Sequence, residues 1–100
     1  MKLVSWNCRG LGGSQKIEVI KRFKTIKSAL ILLIQETKKM AKDSLATLKI
    51  FWPKGDGLAT NAFGASGGLL CWWDAKKFVM HFSIENKNWI LIKLENKEKK

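Results

Sequence analysis

The sequence is poor in the residues from which catalytic clusters are usually built. It has one histidine, His81, and two cysteines, Cys8 and Cys71, in 100 residues. His81 lies inside an alternating apolar segment, so no Ser/His/Asp or Cys/His arrangement can be assembled around it. A packed or surface imidazole fits that position better than a general base. The two cysteines are far apart in the chain and form no CxxC or Cys/His metal pattern, and they read as buried thiols in a reducing compartment. Long apolar runs are also missing. The longest, Ala29 to Ile34, is far too short to span a bilayer. Lys2 is followed by only a few apolar residues before Asn7 and Arg9, which is no signal peptide. The expectation is an intracellular chain, nuclear or cytoplasmic, with no membrane partner. The P-loop pattern GxxxxGK[ST] is absent, and Gly10, Gly12 and Gly13 do not have the spacing of GxGxxG.

Negative charge is scarce too. Eight Asp and Glu face nineteen Lys and Arg, for a net charge of +11. That excess favours polyanions, nucleic acid first, through counterion release, although lysines also serve simply to keep a small apolar protein soluble. Only Arg9 and Arg22 offer a guanidinium fork. The remaining cations are lysines, which bind phosphate as point charges and read bases poorly.

What is present points to one small α/β domain. The composition is 46% hydrophobic, enough for a core but with little margin at this length. Lys2 to Trp6 reads as a strand and Asn7 to Gly13 as a loop. Ser14 is a plausible N-cap for a helix reaching about Ser28, with Ile17, Ile20, Phe23 and Ile26 as its apolar stripe. Ala29 to Gln35 is a continuous apolar run, as in a strand buried on both faces. Strand, helix and strand over about 35 residues predict a βαβ unit with a parallel pair and a right-handed crossover. Both strands then end at the same edge of the sheet, which brings Asn7 and Glu36 together where open α/β sheets usually place their sites.

Further along, Lys38 to Leu48 predicts a short helix with Met40, Leu45 and Leu48 inward. Ile50 to Trp52 predicts a brief strand stopped by Pro53, and Gly55 to Gly67 a polar, Gly-rich loop. Gly67 to Asp74 predicts a buried strand. In Phe78 to Glu85, the set Phe78, Met80, Phe82 and Ile84 is expected on one side and Val79, His81, Ser83 and Glu85 on the other. Trp89 to Glu95 alternates again after a turn at Glu85 to Asn88, completing an antiparallel meander. Residues 96–100 form a basic tail. Trp6, Trp72 and Trp73 fall in apolar strands, where core packing explains them better than base stacking.

Two residues stand out chemically. Glu36, in "IQETK", is a carboxylate where a buried strand meets its loop, well placed to bind a hard cation, although a helix-start or surface glutamate paired with Lys38 would look the same. Asn7 carries an amide with both donors and an acceptor, able to meet phosphate oxygen or orient another ligand, or simply to form a turn.

Taken together and in order, "MKLVSWNCRGLGG", "ALILLIQETK" and "GASGGLLCWWD" resemble the endonuclease/exonuclease/phosphatase superfamily. The resemblance is closest to the apurinic-type endonuclease domain of plant non-LTR (LINE-type) retrotransposons, and it extends across most of residues 1–95. It implies an α/β fold that is the N-terminal half of a four-layer DNase I-like sandwich, with a mixed sheet. It also implies Mg²⁺-dependent (or Mn²⁺-dependent) hydrolysis of a phosphodiester in DNA. By motif, Glu36 is the metal-binding carboxylate, and Asn7 is the polar residue that helps hold metal or phosphate. The family's later Asp-x-Asn pair, further Asp and Ser-Asp-His segment have no counterpart in these residues. Asp43, Asp56 and Asp74 lie outside those contexts, and no Ser-Asp precedes His81. The expectation is therefore a truncated endonuclease-like domain, inactive alone unless self-association completes it. The alternative is a basic, non-catalytic nucleic-acid binder.

Overall fold

In the computed structural model, residues 2–25 and 30–97 are described. β1 (Lys2–Asn7) and β2 (Leu30–Gln35) pair in parallel, from Lys2 opposite Leu30 to Asn7 opposite Gln35. Between them lies α1 (Gly13–Lys24), which completes the expected βαβ unit. Its stripe faces the sheet. Ile20 is fully buried, Ile17 packs beside it, and Phe23 meets Trp6 edge-on with 5.7 Å between ring centroids. The helix starts at Gly13, with Gly12 extended as the capping residue, so Ser14 lies inside the first turn and is not the cap. At the other end, the Thr25 backbone N–H and hydroxyl both donate to the Arg22 carbonyl. Ile26 and Ala29, the last stripe position and the first residue of the expected strand, lie outside the described residues.

The main sheet has the order β1-β2-β6-β3, with β6 (Leu69–Asp74) antiparallel to both β2 and β3 (Gly55–Ala59). β2 and β6 are interior strands, and their unbroken apolar runs are covered on both faces. Leu32, Ile34, Leu70 and Trp72 pack with Ile20 and Leu48 on the helical side. On the opposite side, Cys71 and Trp73 pack with Phe78, Ile31, Leu33, Ile92 and Leu94.

The structure departs from the sequence expectation in the segment from Lys38 to Gly67. The predicted loop from Gly55 begins with β3, whose glycines are demanded by Trp72. A Cβ on Gly55 would lie 2.0 Å from Trp72 Nε1, and one on Gly57 would lie 2.3 Å from the Cys71 carbonyl oxygen. A residue type that weakens strands by propensity is kept here because a ring lies across its backbone. The predicted brief strand at Ile50 to Trp52 is the end of α2 (Ala41–Phe51), where Ser44, Leu48 and Trp52 continue one buried helical face. That helix begins at Ala41 rather than Lys38. Met40 is its capping residue and is 48% exposed, not inward. Asn61 Oδ1 accepts the Ala41 N–H at 2.7 Å, so a side chain distant in sequence supplies the cap.

β7 (Phe78–Glu85) and β8 (Ile90–Asn96) form an antiparallel hairpin that is a separate two-stranded sheet, so the meander does not continue from β6. The β8 alternation holds, with Ile92 and Leu94 against the main sheet and Leu91 outward. In β7 it fails, because the register shifts between Met80 and Phe82. One extra residue reverses the facing of everything after it. Phe78 is buried, whereas Phe82 and Ile84 are 49% and 51% exposed. The expected basic tail starts later than residue 96. Asn96 belongs to β8, and Lys97 donates its N–H to the Lys77 carbonyl at 2.7 Å and its Nζ to the Ala75 carbonyl at 2.8 Å. Residues 98–100 lie outside the described residues. Among the described residues no helix is long and apolar enough to cross a membrane.

Candidate functional site at the carboxyl edge of the parallel pair

Asn7 ends β1 opposite Gln35, and Glu36 is the next residue after β2. The parallel pairing therefore delivers both side chains to one edge. Asn7 Nδ2 donates to Glu36 Oε2, and Asn7 Oδ1 accepts the Arg9 backbone N–H at 3.2 Å. The amide is thus oriented at both ends, with its nitrogen toward the carboxylate.

The backbone at this edge is unusual. Arg9, Glu36 and Lys38 are the non-glycine residues with positive φ among those described, at 54°, 56° and 56°. Each left-handed residue costs about 1–2 kcal/mol. Two sets of backbone bonds hold the turn against that cost. On one side, Cys8 N–H donates to the Gln35 carbonyl, Gly10 N–H to Glu36 and Leu11 N–H to Thr37, at 3.0, 2.7 and 2.8 Å. On the other, Thr37 N–H donates to Gly68 and Lys38 N–H to Gly67, at 3.1 and 2.9 Å. At about 0.5–1.5 kcal/mol net each, these bonds are of the same size as the strain. Tertiary bonding, not local preference, places Glu36.

Gly68 reveals the physical sense of the "SGG" stretch. Its φ is +90°, and a Cβ there would sit 2.1 Å from Oγ1 of Thr37, which is completely buried. The glycine is the counterpart of the turn that carries Glu36. Sequence reasoning placed Gly67 and Gly68 at the start of the buried strand, which instead begins at Leu69, and gave the pair no part in the Glu36 turn. The signal available was their ordered occurrence with "QETK".

The thiols behave as predicted for buried cysteines. Both are free, and burial pushes the Cys8 pKa up and that of Cys71 up to about 12. Cys8 Sγ donates to the Glu36 carbonyl at 3.4 Å, as a packing contact beneath the turn. Lys16 Nζ donates to the Cys8 carbonyl and lies 5.9 Å above the Trp6 ring. Lys38 and Lys39 line a shallow basic depression with Gly10, Gly12 and Thr37.

Among the described residues no group of three or more His, Cys, Asp or Glu gathers as a metal site. Asp56 Oδ1 accepts the Gly57 N–H and Asp74 Oδ1 the Lys76 N–H, both at 2.8 Å, while Asp43 sits in the first turn of α2. His81 Nε2 is 2.6 Å from Glu95 Oε1 on the hairpin. The edge therefore offers one carboxylate beside one oriented amide. That donor set fits a Mg²⁺ ion as a single protein ligand, because Mg²⁺ keeps several waters and commonly takes one or two carboxylates plus substrate phosphate. Compared with protein-family models, with curated proteins and with solved structures, the chain gives no match.

Proposed function

We propose that the Asn7–Glu36 edge is one wall of a metal-dependent phosphodiesterase site in a DNA endonuclease-like domain of retrotransposon type. The observation that carries the proposal is the Asn7–Glu36 hydrogen bond across the carboxyl ends of a parallel pair, with strained residues clustered around it. Strain held in place by surrounding structure is characteristic of functional sites. In the same proposal, the helices and the four-stranded sheet are the first half of a four-layer DNase I-like sandwich.

Glu36 would hold the cation, and Asn7 keeps its carboxylate aimed by donating to Oε2. Bound Mg²⁺ would supply charge stabilisation on the phosphate and a more acidic water. Lys38 and Lys39 add positive potential for the phosphate backbone beside the edge. The one imidazole, His81, is engaged with Glu95 on the hairpin and does not join the pair as a general base. A missing acid–base group costs about 10²–10⁴ in rate, so these residues alone should bind metal weakly and not turn over.

Mn²⁺ titration followed by NMR line broadening tests the proposal. Broadening should centre on Asn7, Glu36 and Thr37 and vanish in Glu36→Gln, with no nicking of plasmid DNA by the hundred residues alone. Broadening centred elsewhere, or nicking that survives Glu36→Gln, would overturn it.

A further inference from the structure

Beside the Glu36 edge, two aromatic side chains are exposed in a way the core does not explain. β4 (Ala62–Phe63) and β5 (Ser66–Gly67) form a small hairpin. It is tied to the Glu36 turn, because Ala62 N–H donates to the Lys39 carbonyl at 2.9 Å and Lys38 N–H to Gly67. At its tip Phe63 is 76% exposed. Lys87 Nζ lies 5.2 Å from the centre of the Phe63 ring, so the β7–β8 turn comes up against this hairpin. That turn is rigid. Asn86 Oδ1 accepts the N–H groups of Asn88 and Trp89 at 2.8 and 3.1 Å, and Asn86 N–H donates to the Trp89 carbonyl at 3.0 Å. Trp89, 48% exposed, then walls an apolar cavity of about 230 Å³ that also holds Leu33, Leu69 and Cys71. Gln35 and Asn88, which both carry side-chain amides, also line this cavity. Gln35 directly precedes Glu36.

An aromatic wall, an apolar slot and two amides able to donate and accept are the features that receive a planar heterocycle. A second exposed ring with an ammonium group at its face suits the next base and its phosphate. We propose that Phe63, Lys87 and Trp89, with the Gln35–Asn88 cavity, form a stacking surface for unpaired nucleotides of a single-stranded nucleic acid. The net charge of +11 supplies the complementary field. Glu85 is the carboxylate on the neighbouring cavity shared by Phe63 and Lys87. Resting on the phosphodiester proposal above, the surface would make the strand at Glu36 single-stranded or locally unpaired rather than regular duplex. Duplex bases are stacked on one another and cannot reach a protein ring.

Fluorescence anisotropy with labelled oligo-dT, oligo-rU and a duplex of equal length tests this. Single strands should bind more tightly than duplex. Phe63→Ala and Trp89→Ala should each weaken single-strand binding about 5- to 100-fold and leave duplex binding alone. Trp89→Leu keeps the apolar wall but removes the ring, and should weaken binding comparably if folding is not the cause. Lys87→Gln should lower the salt slope by about 0.7–1. Tighter binding of dT than rU assigns DNA as the partner, and the reverse assigns RNA. The proposal is overturned if Phe63→Ala binds like the parent, if duplex is preferred, or if the substitutions change only sedimentation, which would mark a self-association surface. Glu36→Gln separates the two proposals, since it should abolish the Mn²⁺ signal and spare strand binding.

Discussion

Replacing Gly68 with alanine should damage the protein out of proportion to one methyl group. Gly68 has φ +90°, and a left-handed conformation costs an L-residue about 1–2 kcal/mol. The new Cβ would also lie 2.1 Å from Thr37 Oγ1, with the Lys38 backbone nitrogen at 3.3 Å. Thr37 is completely buried and β-branched, so it has no free rotamer to escape into. Overpacking of this kind typically adds about 1–3 kcal/mol. The sum is about 2–5 kcal/mol, a large share of the roughly 5–15 kcal/mol that holds a small domain together. Urea unfolding should show a midpoint lower by about 1–3 M. The two contributions can be separated. Thr37→Ala removes the oxygen that is struck, together with a buried methyl group and a 3.4 Å bond from the Lys39 N–H, losses that cancel in a double-mutant cycle. In the double variant the overlap disappears and the φ strain remains, so the two substitutions should couple favourably by about 1–3 kcal/mol. A Gly68→Ala protein within about 0.5 kcal/mol of the parent, or a cycle without coupling, would refute the account of how the Glu36 turn is held.

Glu36→Asn should leave stability unchanged or raise it by up to about 1 kcal/mol, because Asn tolerates the left-handed φ, while Mn²⁺ broadening disappears; a loss beyond 1 kcal/mol would show that the bond to Asn7 outweighs the strain. Burial pushes the Cys71 thiol up from 9.0 to about 12, so its contribution to stability is full below pH 9 and is lost as pH rises toward 12. Between pH 10 and 11 the parent should lose about 1.2 kcal/mol more than Cys71→Val in urea unfolding, and parallel curves would contradict the shift. The outward face of the β7–β8 hairpin exposes Phe82, Ile84 and Leu91, so the protein should bind the dye ANS, and threonine at all three positions should lower the fluorescence without unfolding the chain.

Much of the first forty residues was legible without coordinates. The apolar runs of β1 and β2, the three-residue spacing of Ile17, Ile20 and Phe23, and the handedness of βαβ connections suffice to place Asn7 beside Glu36. The buried character of β2 and β6 was equally plain from their unbroken runs. The later elements were harder. β3 carries two glycines in five residues and reads as a loop, because its identity comes from the Trp72 ring that lies on it. The reversal of Phe82 and Ile84 comes from a one-residue bulge at His81, which no period-two pattern records.

The same division runs through the site. Sequence alone determined that a carboxylate and an amide end two neighbouring parallel strands, since periodicity and chain length are local properties. Only the tertiary structure decided that Glu36 stands in a left-handed turn, clamped between the Cys8–Leu11 loop and the Gly67–Gly68 backbone. That arrangement depends on hydrogen bonds and steric limits between residues some thirty positions apart, and no local pattern carries them.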